Sequence, residues 1–460
     1  MRINKEDVLW NYAATFLRIA SYALLLPFIL RKMSPEMVGI WSVFMAISLF
    51  STLFDIGFSS SFIRNVTYIF SGVKSLKVSG FESGNSVNAT VDFGLLKGII
   101  LAMRWIYLRM AITLFMLLSS LGTYYIYSLL KNYKGDQTEV YASWIVLVVI
   151  STYNLYSLYY DALLQGKGLI KRSKQITVIG QIIYILFATV LILQGYGLLA
   201  ITSAQALSVI IIRWLSYHAF FTADICQSLN PTKPRPKKEV LRVIYPNAIK
   251  IGLTSFGAVV IQRSSIIIGS LFLPLGQIAS YSITMQFIAI IAGFATIYTN
   301  TYTPKIVQLR VERNNDSIKT LYLKGQIIFF ATYIVGAFFL MSLGGWILNL
   351  IGSQTQLMPA LLISVAIIIS FLESNHGMAG GILLTNNEVP FFKASLAAGL
   401  VTVLLLLVMF YFTNIALWSL ILAPGIAQLY NNWKWPYELI LQLNITSYDI
   451  KRSLKFITKF

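Results

Sequence analysis

The stretch Asn230-Pro-Thr-Lys-Pro-Arg-Pro-Lys-Lys238 organises the reading of this chain. Three prolines fix the backbone and withhold their N–H groups, and four basic side chains demand water, so the segment reads as a linker rather than part of a helix. On either side of it the sequence turns apolar in runs of about 20 residues, the length needed to cross the hydrocarbon of a bilayer. Six runs precede it: Val8–Leu30, Val38–Phe62, Ile106–Leu129, Val140–Leu164, Ile176–Leu193 and Leu198–Phe221. Six follow: Pro246–Phe272, Ile278–Tyr302, Gln326–Ile351, Leu357–Leu384, Ser395–Phe412 and Ile415–Leu441. The expected fold is an all-α polytopic membrane protein of about 12 transmembrane helices in two six-helix lobes. Its parts are an N-lobe over 1–229, a cytoplasmic linker over 230–245, and a C-lobe over 246–460 that ends in a basic cytoplasmic tail.

Composition agrees. Of 460 residues, 57% are hydrophobic and 12% charged, and the mean hydropathy is +0.71. A soluble domain carries about 25% charged residues, so a soluble globular body, a disordered chain and a disulfide scaffold are all excluded. The apolar runs are too long, and lack the alternation, for a transmembrane β-barrel. No cleavable signal peptide is expected, because the first apolar run is too long for one.

The net charge of +19 would suggest nucleic acid in a soluble protein; here its placement argues for topology instead. With the N-terminus in the cytoplasm, 27 of the 36 Lys and Arg fall in cytoplasmic connections or at the termini. Only Arg31, Lys32, Lys131 and Lys134 fall in the opposite connections. Lys and Arg are retained on the cytoplasmic side, so both termini are expected there. The remaining basic residues, Arg18, Arg109, Arg213, Lys250 and Arg263, lie within spans. The basic loops near Lys233–Lys238 and Lys451–Lys459 read as contacts to anionic membrane lipids. Tryptophans 10, 41, 144, 346, 433 and 435 fall near span ends, as an interfacial belt does.

Six spans return each half to the side it started from, so the halves are expected to be parallel repeats. Met37-Val-Gly-Ile-Trp-Ser42 opens span two and Gln277-Ile-Ala-Ser-Tyr-Ser282 opens span eight, and Asn11 and Asn247 begin spans one and seven. Parallel repeats place a substrate path between lobes related by an axis along the membrane normal.

Leu53-Phe-Asp-Ile-Gly-Phe-Ser-Ser-Ser-Phe-Ile-Arg64 resembles the signature ending span two in Wzx-type O-antigen and polysaccharide flippases of the multidrug/oligosaccharidyl-lipid/polysaccharide (MOP) exporter superfamily. Ser34-Pro-Glu-Met-Val-Gly-Ile-Trp-Ser42, Leu163-Leu-Gln-Gly-Lys-Gly168 and Leu383-Leu-Thr-Asn-Asn-Glu-Val-Pro390 are similar to that family's turns. Many members have more than twelve spans, which is a departure. The resemblance implies a V of two lobes working by alternating access in a bacterial inner membrane. It further implies export of an undecaprenyl-diphosphate-linked oligosaccharide, such as an O-antigen unit of lipopolysaccharide, to the outer leaflet. Polysaccharide polymerases and glycosyltransferases would be its partners.

A charge near the bilayer centre is costly and usually faces a cavity or a partner. Arg18, mid-way along span one, suits a lipid diphosphate, which an Arg fork grips through two oxygens. The alternative is a pair with Asp55, roughly 7 Å nearer the cytoplasm by helical rise. In span seven Lys250 lies near enough the end to snorkel. Arg263 is deeper, beside Gln262, Ser264 and Ser265, on either a wetted or an inter-helix face. Arg64 reads either as a diphosphate contact or as an interfacial anchor. Asp55, Glu373 and His376 are the ion-coupling candidates. Glu373 and His376 are three residues apart on one helix face, placed for a proton relay or for a packing hydrogen bond beside Gly377, Gly380 and Gly381. Asp161 and His218 read as interfacial.

No Gly-x-x-x-x-Gly-Lys-[Ser/Thr] loop is present, and one Cys (Cys226) and two His make a metal site or Cys–His nucleophile unexpected. The expectation is therefore a transporter without catalytic residues or cofactor beyond possible H⁺ or Na⁺ coupling. The alternatives are a multidrug or cation exporter of the same superfamily, and a membrane-embedded polysaccharide-processing enzyme, against which the short outer loops argue.

Overall fold

The computed structural model describes residues 10, 17, 21, 24–55, 57–73, 91–131, 133–311, 314–386 and 390–449. All regular structure among them is helical. Nine of the described helices are long and apolar enough to cross a membrane, and they correspond to expected spans two to six and eight to eleven. Most of span one lies outside the described residues. By contacts the chain divides into two compact units, residues 1–33 with 44–256, and residues 34–43 with 257–460.

In the first unit the expected continuous span two is broken. Helix α1 (Pro35–Thr52) tightens into a 3-10 turn at Leu53–Asp55, and α2 (Phe58–Phe70) starts afresh. Gly57 between them has φ 68°, a left-handed conformation that a side chain would strain. Asp55 then takes up the exposed start of α2, its two oxygens accepting the Ser59 amide at 3.1 and 3.3 Å. The sequence signature is thus the recipe for a capped helix break.

Helix α3 (Phe93–Leu117) passes through a π-turn at Leu118–Gly122 into α4 (Thr123–Leu130). The Trp144 ring occupies the space over Gly122, where a Cβ would lie 2.7 Å from it, and its Nε1 donates to Thr123 Oγ1 at 3.0 Å. Helix α5 (Gln137–Ser157) and α6 (Tyr159–Gly166) are separated at Leu158, where the Ser157 hydroxyl donates back to Tyr153 O at 2.6 Å. Such back-bonding competes with the helical ladder and bends it. Helices α7 (Ile170–Leu193) and α8 (Leu198–Phe220) form a hairpin through Gly195, at φ 96°. Glu139 of α5 accepts the Gly197 and Leu199 amides at 2.8 and 3.2 Å, satisfying the start of α8.

The linker is held, not loose. After α9 (Ala223–Leu229), the Lys97 ammonium donates to the carbonyls of Leu229, Asn230 and Thr232 at 2.8, 3.2 and 2.9 Å. Arg235 pairs with Asp92 at 2.7 Å, and its amide donates to Gly94 O. Gly94 and Gly98, one turn apart on α3, are bare where the linker backbone crosses: a Cβ on Gly98 would stand 2.9 Å from Arg235 O. Helix α10 (Lys237–Phe272) follows, and its buried Val240 and Ile244 join the core that Phe62, Val66, Met103 and Leu163 build.

The second unit takes α10 from Gly257 onward, then α11 (Leu275–Val311), α12 (Asn315–Leu350), α13 (Ala360–Leu383) and α14 (Phe392–Phe412). Gly257 lets α10 lie directly on α14, since a Cβ there would meet the Ser395 backbone at 2.7 Å. Expected span twelve, Ile415–Leu441, is instead two helices, α15 (Leu417–Ala427) and α16 (Leu429–Gln442), which meet at Gln428. Each contains a proline, Pro424 or Pro436, which removes a backbone donor from the ladder. Asn431 and Asn432 then supply polar contacts in place of an apolar span.

Candidate functional site: a polar cavity in the first unit

The two breaks described above, at Gly57 and Leu158, face a common space. A cavity of about 260 Å³ lies there, bordered by α1, α2, α5 and α8 and lined by Ser51, Asp55, Ser59, Ser151, Asn154 and Gln205 among others. Its floor is set by hydrogen bonds. The fully buried Tyr107 of α3 donates its hydroxyl to Asp55 Oδ1 at 2.6 Å. Arg213 of α8, with its side chain 6% exposed, forms an ion pair with Asp161 of α6 at 2.7 Å. Its second terminal nitrogen donates to Asn154 Oδ1, also at 2.7 Å. The site thus offers hydroxyl, amide and carboxylate oxygens inside a membrane-spanning helical unit, a donor set suited to a proton or a hard cation. Among the described residues no group of three or more His, Cys, Asp or Glu is placed to hold a metal ion.

Among the described residues, Asp55 is the one sequence-expected site residue that lines this cavity. Arg18 lies outside the described residues, so neither reading of it is addressed. Lys250 lies in α10, with its side chain outside the described set. Arg263 is half-buried on α10. Ser265, two residues on and so about 200° around the helix, is buried and donates to Leu420 O of α15 at 2.9 Å, an inter-helix contact on a different face from Arg263. Arg64 is exposed on α2. Glu373 and His376 share α13, but no hydrogen bond or ion pair joins them. The imidazole Nδ1 meets Asn432 Oδ1 of α16 at 2.6 Å instead, while Glu373 is half-buried.

The Arg213–Asp161–Asn154 group was not singled out from sequence, yet a signal existed. Arg213 lies seven residues before the end of α8 and Asp161 five before the end of α6. At 1.5 Å per residue those are matching depths, and an intramembrane Arg needs a partner.

No family model matches this chain, and no curated protein does. Solved structures do, in fold. The chain resembles an inward-facing multidrug resistance MATE family transporter of the MOP superfamily, with TM-score 0.65 and 16% identity over 93% of this chain and 94% of that one. It resembles the lipid II flippase MurJ in an inward closed conformation, with TM-score 0.62 and 16% identity over 99% and 93%. It also resembles a MOP superfamily transporter from Pyrococcus furiosus described as having a binding pocket of reversed polarity, with TM-score 0.54 and 16% identity over 95% and 94%. The fold is therefore that of MOP superfamily transporters, and the protein is a multi-pass membrane protein. The structures it resembles are transporters and a flippase, not enzymes.

Proposed function

We propose that this protein is a flippase that moves undecaprenyl-diphosphate-linked oligosaccharide repeat units, of the O-antigen or surface-polysaccharide class, across a bacterial inner membrane by alternating access. The observation that carries the reading is the transporter fold over nearly the whole chain, in a sequence whose intramembrane charges are mainly basic. A diphosphate-bearing passenger needs cationic groups along its path, and Arg18, Lys250, Arg263 and Arg64 are assigned to it. Asp55, in its oxygen-lined cavity, is assigned to H⁺ or Na⁺ coupling, with Glu373 and His376 as secondary candidates. Glycosyltransferases would supply the cargo and a polymerase would receive it.

The test is a host strain in which the gene is replaced by the Arg18→Ala or Arg263→Ala variant. Lipid-linked repeat units should accumulate at the inner leaflet and surface polysaccharide should fall. Normal surface polysaccharide in both strains, with both variants expressed, overturns the assignment.

One observation favours a second reading, a multidrug or cation exporter. Among the described residues the cavity lining holds Asp55 and neutral oxygens but no basic side chain, and the neighbouring Arg213 is neutralised by Asp161. Proteoliposomes that export a lipophilic cation in an Asp55-dependent manner, and leave lipid-linked sugar unmoved, would select it.

A further inference from the structure

Charges on α3 are confined to its first part. Lys97, Arg104 and Arg109 are followed by residues 110–130 without a charge. That segment is about 31 Å long at helical rise, the thickness of the hydrocarbon core. Arg109 therefore lies at the boundary between headgroups and hydrocarbon. Its guanidinium carbon sits 4.0 Å from the centre of the Trp105 ring. The Lys237 ammonium, from the first turn of α10, sits 5.2 Å from the same centre. Both cations are exposed, and among the described residues no carboxylate lies within ion-pair distance of either.

Two exposed cations gathered on one indole repel each other, and an anion that touches both relieves that repulsion. Each of them can give a charge-assisted hydrogen bond to a phosphate oxygen. The surface beyond Arg109 is apolar: Ile112 and Met116 follow it on one helix face and are 47% and 65% exposed. A free phosphate has no use for that stripe, whereas an acyl chain does.

We propose that Arg109, Lys237 and the Trp105 ring they share form a binding site for the phosphate headgroup of an anionic bilayer lipid, with an acyl chain laid along Ile112 and Met116. The site is independent of the transported substrate. It joins α3 to the start of α10, so the lipid is a third component of the linker's anchorage beside Lys97 and the Arg235–Asp92 pair.

The test is native mass spectrometry of the full chain released from detergent, titrated separately with phosphatidylglycerol, phosphatidylcholine and inorganic phosphate. Near an anionic surface each basic residue is worth a factor of roughly five in binding. Phosphatidylglycerol affinity should fall roughly fivefold in Arg109→Gln or Lys237→Gln and roughly thirtyfold in the double variant. It should hold in Lys238→Gln, the neighbouring charge that makes no contact with Trp105 among those described. Arg109→Lys, which keeps the charge and disturbs folding least, should retain most of the affinity. Equal phosphatidylglycerol binding by the double variant and the parent overturns the site. So does equal retention of phosphatidylcholine, and displacement of the lipid by equimolar inorganic phosphate would reassign the site to a free anion.

Discussion

Removing the carboxylate of Asp161 should cost more stability than removing the guanidinium it holds. Arg213 has a side chain only 6% exposed, whereas Asp161 is 29% exposed. In Asp161→Asn the buried cation keeps Asn154 Oδ1 and loses its only counter-charge among the described residues; its Nε already makes no hydrogen bond there. Stranding a buried charge costs 3–5 kcal/mol, and the partial exposure of this pair puts the expected loss near the lower end, about 3 kcal/mol. In Arg213→Met the group left behind is a carboxylate that water reaches, so the expected loss is about 1–2 kcal/mol. The double variant should be little worse than Arg213→Met alone, because the neutral residue at 161 no longer faces a charge. The coupling in the double-mutant cycle should then be about 2.5 kcal/mol, nearly the whole cost of Asp161→Asn. The assay is equilibrium unfolding in mixed micelles, followed by circular dichroism on all four proteins. A reversed order of the single variants, or coupling below about 0.5 kcal/mol, would refute the reasoning.

Three other consequences are open to measurement. Tyr107→Phe deletes the hydroxyl that donates to Asp55 Oδ1 at 2.6 Å; the loss of a charge-assisted bond inside the unit should lower stability by about 1.5–3 kcal/mol, and an unchanged unfolding midpoint would contradict that role. Gly166→Leu should destabilise by at least 1–3 kcal/mol, since even a Cβ there meets Val66 side-chain atoms at 2.5 Å where α6 crosses α2, while Gly377→Ala, with open space around it, should be nearly silent in the same assay. Asp449, in the helical residues 447–449 that follow α16, is held below the usual carboxylate range by the Thr446 amide, then by the Thr446 hydroxyl and Lys319. Because its folded pKa is depressed, the turn is stabilised above the unfolded value of about 3.9 and loses that support as pH falls through the folded one. Hydrogen-exchange protection of the Thr446 amide should therefore be level from pH 8 to 5, after correction for intrinsic rates, and decline below about pH 4; protection independent of pH down to 2 would contradict the contact.

Sequence reading located most helices because the bilayer imposes a simple rule. About 20 apolar residues in a row have few other uses, and Ile176–Leu193 or Ser395–Phe412 obey it without interruption. The rule carries no information on continuity within a span. Leu53–Arg64 was legible as a motif, but its mechanical content, a left-handed Gly57 and an Asp55 that caps the next helix, needs backbone angles. The division of span twelve at Gln428 is invisible to hydropathy, which averages over Pro424 and Pro436 because they remove backbone donors without lowering apolarity much. The candidate site was half legible for a related reason. Asp55 announces itself as a carboxylate in an apolar run, whereas Arg213 and Asp161 stand 52 residues apart and become one group only when α6 and α8 pack. Glu373 and His376 show the converse limit. Their i, i+3 spacing is real, yet His376 turns to Asn432, because spacing fixes a helix face and not a rotamer.

The cavity and the helix breaks have one cause. A helix that breaks within a membrane exposes backbone donors and acceptors that lipid cannot satisfy, so breaks persist only where side chains supply partners. Asp55 does so for the start of α2, and Ser157 bonds back across the bend before Leu158. The same residues that repair the backbone, or flank the repair, then leave oxygen atoms facing the space the breaks open: Asp55 and Ser59 from one, Asn154 from the other. Asp55 holds the Ser59 amide and the Tyr107 hydroxyl at once. A cation or proton arriving at that carboxylate would weaken its hold on both, which links occupancy of the cavity to the geometry of the α1–α2 break. Ion coupling at this site requires such a link. Asp55→Asn keeps the shape but accepts those donors less strongly, so it should uncouple transport from the ion gradient while leaving the helix content unchanged. A variant still driven by the gradient at the parent's rate would separate the cavity from the coupling step.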